Sequence, residues 1–274
     1  MAASELEAGA SLNVKGINTF YHHAGSGQPV VLIHGSGPGV SAWANWRLVL
    51  PELSRHFAAY APDIIGFGKT AKPADCAFTH ADRVNHLINF IETLSLAPVR
   101  LIGNSMGGGL ALALAVRRPD LVERMVLMGS VGVSFPITEG LAEVWGYTPS
   151  LEKMRRLIDL FAYNKALVTD ELAKLRYEAS IQPGYQEAYA KAFPAPLQQH
   201  IEAMSIAEER IRQVQIPALV IHGREDRIIP MEVGVRIYRL LPRADMHIFG
   251  QCGHWTQIEK TADFNAQVIR FLPS

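Results

Sequence analysis

Four short apolar runs, each stopped by glycine or a turn, constrain this chain more than any other feature: "PVVLIHG", "VRLIGNS", "RMVLMGS" and "ALVIHGRED". Each is nearly continuous rather than alternating, as in a strand covered on both faces. Helical patterns lie between them. "THADRVNHLINFIETLSL" puts Val84, Leu87, Ile88 and Ile91 on one face, with Thr79 and Asp82 at capping-box spacing. A helix is expected in "AWANWRLVLPELSRH" after the first run, another in "GGGLALALAVRRPD" after the second, and a last one near "TADFNAQVIRFL". Two strands around Lys15-Gly16, forming a hairpin, a weaker one in "FAAYAPD" and one in "MHIFG" bring the strands to eight. The expected fold is α/β: a mostly parallel eight-stranded sheet with helices on both faces.

One stretch breaks this rhythm. From about Phe135 to Ile206 the pattern is helical, "PGY" and "FPAPL" interrupt it, and no buried strand is evident. The expected organisation is a core of residues 1–134 and 207–274 with a helical lid of residues 135–206, since loops at strand ends build sites in such sheets. Formal net charge is zero over 274 residues, so no basic stripe is present to select nucleic acid or an anionic membrane. Cys76 and Cys252 lack metal-type spacing and read as reduced thiols. "MAASELEAGA" is acidic without an apolar core segment, so a cytoplasmic location is expected.

The second run ends in "GNSMG", the G-x-S-x-G pattern on a strand, a sharp turn and a helix. Such a turn lifts the Ser105 hydroxyl above the sheet, and the helix start aims free N–H groups at the same place. A glycine-rich turn with no chemistry is the plain alternative. A serine needs a base, and the expected chain order is serine, acid, histidine. Of ten histidines, His254 in "GQCGHWTQ" lies in the loop between the last strand and the last helix; His222 and His247 fall within or at the end of strands and suit structural roles. "VIHGREDRIIP" offers Glu225 and Asp226 as the acid, with Asp226 preferred; Asp63 in "APDIIGFG" competes but more naturally braces its own turn. The N–H of Met106 is one oxyanion donor, and that of Ser36 or Gly37 in "HGSGPG" the other. "HGSGPG" fits neither phosphate-binding glycine pattern. Cys252, near His254, is a rival nucleophile that would leave the serine turn unexplained.

Together these stretches resemble an α/β-hydrolase, and specifically the meta-cleavage product hydrolases of aromatic catabolism. "LIHGSGPGVSAWANWR", "GNSMGGGLALALA", "FPITEGLAEVWGYTPSLEKMR", "VTDELAKLRYEASIQPG", "HGREDRIIP" and "GQCGHWTQIE" carry the resemblance over nearly the full length, closest to the branch acting on 2-hydroxymuconic semialdehyde and 6-alkyl substrates. It implies cleavage of the C5–C6 bond of 2-hydroxy-6-oxohexa-2,4-dienoates, no metal or organic cofactor, and a homo-oligomer, at least a dimer. It also implies that Arg176 holds the substrate carboxylate, that Asn45 and Asn104 hydrogen-bond the polar head, and that Trp255 lines the pocket. Val131, Ile201 and Ile229 are implied to line the distal end; all three are branched, which favours hydrogen or methyl at C6. A carboxylesterase with the same triad and a slow-turnover ligand receptor are the alternatives. Dehalogenases and epoxide hydrolases of similar pattern have an aspartate where Ser105 stands.

Overall fold

The computed structural model describes residues 7–273; the acidic N-terminal segment begins outside them. The strands are Ala10–Val14 (β1), Ile17–Ala24 (β2), Pro29–Ile33 (β3), Ala58–Pro62 (β4), Val99–Asn104 (β5), Val122–Met128 (β6), Ala218–Gly223 (β7) and Ala244–Phe249 (β8). They form one sheet in the order β1-β2-β4-β3-β5-β6-β7-β8. The β1–β2 hairpin turns at Lys15 and Gly16, both with positive φ, and β2 joins β4 antiparallel. Every other pairing is parallel.

The continuous apolar runs are explained by burial on both faces. All six residues of β5 and all six of β7 are buried. Val31, Ile33, Leu101, Met125, Leu127 and Val220 enter one core cluster. Their alternate neighbours Val30, Leu32, Ile102, Val126, Leu219 and Ile221 enter the other, with Trp46, Leu50, Phe264 and Val268 from helices on that side. One charge crosses this pattern: Arg100 is buried in β5, where its Nε donates to the Leu272 carbonyl at 2.8 Å and its Nη2 reaches Glu123 at 2.9 Å. It thereby ties the last helix to the middle of the sheet.

The strand order reverses at β3, which has β4 on one side and β5 on the other. A crevice opens at the carboxyl ends of strands at such a point, here over the loops after β3 and β5. His34 fixes the first of these loops. Its Nδ1–H donates to the Gly35 carbonyl at 2.7 Å, and its Nε2 accepts from the Ile64 N–H at 3.0 Å. Burial lowers the pKa of this imidazole, consistent with a neutral ring serving as one donor and one acceptor.

Two sequence expectations are refined. "AWANWRLVLPELSRH" forms two short helices, Ala42–Trp46 and Leu50–Leu53: at the break Arg47 Nη1 donates to the Ala44 carbonyl (2.6 Å), the Val49 N–H closes a tighter turn onto Trp46 (2.9 Å), and Pro51 then suits the first turn of the second helix. Between β6 and β7 the chain is helical, with helices Glu139–Trp145, Leu151–Phe161, Asp170–Ser180, Tyr185–Ala192, Gln198–Met204 and Glu208–Arg212 and, among the described residues, no strand. Leu141, Val144, Trp145, Leu157 and Phe161 of this segment pack into the same cluster as the sheet.

The helix His80–Thr93 has the full capping box: the Asp82 N–H donates to Thr79 Oγ1 at 3.1 Å, and the Thr79 N–H donates to Asp82 Oδ2 at 2.8 Å. Thr79→Ala should therefore lower stability by about 1 kcal/mol, read as an earlier midpoint in urea unfolding followed by circular dichroism.

Candidate active site

The turn after β5 is built by close backbone approach. Ser105 has φ 55° and ψ −116°, a strained conformation for a residue with a side chain. Its N–H donates to the Met128 carbonyl at 2.8 Å, which fixes the turn against β6. The flanking glycines follow from the same geometry. A Cβ on Gly103 would overlap the Gly107 carbonyl, and one on Gly107 would overlap the Ile33 carbonyl. The helix Met106–Arg117 can thus start directly against β3, with the Ser105 hydroxyl at the strand ends. Among the described residues, no backbone acceptor takes the N–H of Met106, Ser36 or Gly37. These are the expected oxyanion donors.

The acid and base come from the loops after β7 and β8. His254 Nδ1–H donates to Asp226 Oδ2 at 2.7 Å. Asp226 Oδ1 accepts from the N–H groups of Ile228 (2.8 Å) and Ile229 (3.0 Å). His222 Nε2 lies 3.3 Å from Asp226 Oδ2 and donates to the Ile229 carbonyl at 2.9 Å. Burial alone would raise the Asp226 carboxyl; the His254 and His222 imidazoles outweigh it and hold the group well below the usual carboxylate range. The carboxylate is then ionised at neutral pH and fixes the His254 ring with its Nε2 edge free. Gly129, at the end of β6, makes room for this pair: it has φ 51°, and a Cβ there would lie 3.2 Å from the His254 ring and 3.3 Å from Asp226 Oδ2.

The rival residues are placed elsewhere. Glu225 accepts from the Cys252 N–H at 3.0 Å and pairs with Arg224. Asp63 accepts from the N–H groups of Ala42 (2.6 Å) and Lys69 (2.7 Å), so it braces its own turn and ties it to the start of helix Ala42–Trp46. Cys252 is fully buried, and burial pushes its thiol up to about 12, which makes it a poor nucleophile. His247 lies on β8 against the Phe249 ring.

Ser105 and His254 face one cavity under the segment between β6 and β7. No hydrogen bond joins the two; the catalytic contact of such a pair commonly tightens only with substrate bound. Its polar lining includes Asn45, Asn104, Arg176, Arg47 and Gln257. Asn45 Nδ2, Asn104 Nδ2 and Gln257 Oε1 are buried without a protein partner. No carboxylate lies on the wall. Burial lowers the Arg176 guanidinium to about 10, so it stays charged at neutral pH. Leu141, Val144, Phe161 and Ile228 are among its apolar residues, with Phe161 close to Arg176: both lie within 4 Å of where a Cβ on Gly37 would stand. Trp255 lines the wall as expected and stacks on Phe161, ring centroids 4.9 Å apart.

Three expected pocket residues do not line this cavity: Val131, Ile201 and Ile229 are buried outside its wall. Val131 packs against the helix after Ser105, its Cγ2 2.6 Å from where a Cβ on Gly109 would stand. Ile229 has its backbone tied to Asp226 and His222, and its neighbour Ile228 faces the cavity instead. The sequence reading also missed Arg47, Gln257, Phe161 and Gly129. Arg47 carried a signal, standing two residues after Asn45 in "WANWR"; Phe161 and Gln257 had none, because only packing turns them inward. Trp145 donates from Nε1 to Ser36 Oγ at 3.0 Å, joining the helical segment to the loop after β3.

This sheet, with a serine on a strained turn after β5 and an Asp–His pair on later loops, defines an α/β-hydrolase. The sequence profile of the alpha/beta hydrolase fold matches residues 28–261. The chain is 52% identical over 97% of its length, and 94% of the relative's, to the 2-hydroxymuconate semialdehyde hydrolase of Pseudomonas sp. (strain CF600). It is 50% identical over 97% of its length, and 96% of the relative's, to the 2-hydroxy-6-oxo-2,4-heptadienoate hydrolase of Pseudomonas putida F1. The meta-cleavage product hydrolase of Pseudomonas fluorescens IP01 superposes with a TM-score of 0.96 at 50% identity, covering 98% of each chain. The chain belongs to the meta-cleavage product hydrolases of the α/β-hydrolase fold.

The glycine geometry gives a stability test. Gly107→Ala forces a Cβ into the Ile33 carbonyl and should cost at least the about 1–3 kcal/mol typical of overpacking. At Gly37 a Cβ would meet only Phe161 and Arg176 side-chain atoms, at 3.4 Å or more, so Gly37→Ala should leave stability nearly unchanged. Thermal unfolding of both variants makes the comparison.

Proposed function

We propose that this chain hydrolyses the C5–C6 bond of 2-hydroxy-6-oxohexa-2,4-dienoates to 2-hydroxypenta-2,4-dienoate and a small carboxylic acid. One observation carries this: Ser105 and His254 share a carboxylate-free cavity with two guanidinium groups, unpartnered buried amide atoms and apolar side chains. A 2-hydroxydienoate offers the matching groups, a carboxylate and hydroxyl together with an apolar diene and a 6-oxo group with its substituent.

The chemistry must make carbon a leaving group. Tautomerisation of the dienol to its 2-oxo form places a proton on C5. The Arg176 guanidinium, in reach of a bidentate carboxylate contact, and the Asn45 and Asn104 amides hold the charged head. Ser105 Oγ then attacks C6 and passes its proton to His254, while Asp226 stabilises the imidazolium. The oxyanion meets the N–H groups of Met106 and of Ser36 or Gly37. Collapse breaks C5–C6, its electron pair spreads through the dienolate onto the 2-oxygen, and the dienolate takes up a proton. Water, deprotonated by His254, releases the acid from Ser105. Residues 135–206 act as the lid over the core of residues 1–134 and 207–274, and keep bulk water from these steps. By the same family resemblance the enzyme is a cytoplasmic homo-oligomer, at least a dimer. No helix among the described residues is long and apolar enough to cross a membrane.

Ser105→Ala, Asp226→Asn and His254→Ala should each reduce turnover greatly with the fold intact. Their combinations should cost little more than the worst single change, because the residues act as a unit. Arg176→Gln should lose roughly tenfold to hundredfold in kcat/KM on the dienoate, the usual reach of one charged hydrogen bond, and much less on a neutral ester. The readout is the decay of the yellow dienoate's absorbance after rapid mixing. Most dienoate activity surviving in Ser105→Ala would overturn the mechanism, and ester cleavage without dienoate decay would make the protein an esterase.

The apolar wall should also choose the C6 substituent. Val144 and Ile228 are β-branched, and the backbones of buried Val131 and Ile229 are tied to Ser105 and Asp226, so the wall has little room to retreat. Hydrogen or methyl should be preferred over isopropyl, and phenyl should be worst. Val144→Ala should shift kcat/KM toward larger groups by no more than about 10–200-fold. A preference for phenyl in the wild type would refute the small-pocket assignment.

A further inference from the structure

A second hollow lies on the other side of the helical segment and shares no residue with the cavity around Ser105. The core helix His80–Thr93 forms one side, with His80 and Arg83. Lys191, near the end of helix Tyr185–Ala192, and Gln199 and His200, from helix Gln198–Met204, form the other. Its volume is about 280 Å³, and no carboxylate lines it.

Arg83 is the unusual group. It is 1% exposed, yet its Nε and Nη2 have no protein partner. A buried cation without a counter-charge is costly. The adjacent acid, Asp82, is turned away to the helix cap, its Oδ2 2.8 Å from both Thr79 N and Thr79 Oγ1. Phe67 and Phe193 lie against the guanidinium, each ring centroid 5.2 Å from Cζ. Such rings take the faces of a guanidinium, whereas its N–H donors lie in the plane, at the edge. What remains is a flat row of donors beside a second cation, Lys191, whose Nζ donates to the Ala74 carbonyl at 2.6 Å. Carboxylates and phosphates can both meet such a row bidentately, but a carboxylate keeps both oxygens in the guanidinium plane, whereas a phosphate carries further oxygens out of that plane, where Phe67 and Phe193 lie.

We propose that this hollow is a second binding site, specific for a small carboxylate held in plane by Arg83 and flanked by Lys191. A carboxylate there bridges the core helix and the helical segment. The site also lies one ring stack from the loop after β3: Phe193, which covers Arg83, stacks on Trp145 with centroids 5.1 Å apart, and Trp145 donates to Ser36.

Acetate and inorganic phosphate are the probes, titrated against the full-length protein by saturation-transfer NMR and calorimetry. Neither needs turnover, so the outcome is independent of the reaction assigned to Ser105. Arg176→Gln removes the carboxylate anchor of the main cavity; acetate should still bind this variant at one site. Adding Lys191→Gln should weaken that binding roughly tenfold or more. Arg83→Lys keeps the charge and loses the fork, and should weaken it similarly; should that buried change prevent folding, Lys191→Gln on the rim decides. Acetate binding that vanishes with Arg176→Gln alone, or that ignores both Lys191→Gln and Arg83→Lys, overturns the site. Binding of phosphate but not acetate here overturns its assignment to carboxylates.

Discussion

The site rests on one close approach: the backbone of Gly107 against the Ile33 carbonyl. It lets a helix begin directly beside a neighbouring strand, with Ser105 held at positive φ between them. Everything that acts on the serine is placed relative to that contact. The loop after β3, pinned by His34, brings the Ser36 and Gly37 N–H groups to one side. The Asp226–His254 pair, cleared by Gly129, arrives from the other. Strain at Ser105 survives because both strands and the helix fix the turn at once.

Charge in the interior is handled in contrasting ways. Arg100 is paired by the chain itself, its Nε with the Leu272 carbonyl and its Nη2 with Glu123. Asp226 has two imidazoles and two N–H groups, and stays ionised in spite of burial. Arg176 and Arg83 have no carboxylate partner in the chain among the described residues. The first faces the main cavity and the second faces the hollow across the helical segment. Since unpaired buried charge is expensive, these are the two guanidinium groups proposed to meet anions.

Trp145 links these regions. It belongs to the helical segment, donates to Ser36 beside the nucleophile, and stacks on the ring that covers Arg83. Packing in the helical segment therefore also positions the loop proposed to carry an oxyanion donor.

The fold, and the placing of Ser105, Asp226 and His254 on neighbouring strand ends, were legible in the sequence because their signals are local. An apolar run says strand, a capping pair says helix start, and G-x-S-x-G after a strand says elbow, since each reflects bonds or clashes within a few residues. Asp226 and His254 could be chosen because strand ends are local too, and the chain order of the groups follows from the topology. The walls of the cavity could not be read this way. Val131, Ile201 and Ile229 were expected there and lie outside its wall, while Ile228, Phe161, Arg47 and Gln257 line it. Which of two adjacent isoleucines faces a cavity depends on a turn fixed by Asp226 and His222, residues two to seven positions away in sequence but set by a third strand and loop. Likewise, no local pattern says that Arg83 on an amphipathic helix lacks a counter-ion, because the two rings that cover it come from separate segments brought together only by the tertiary fold.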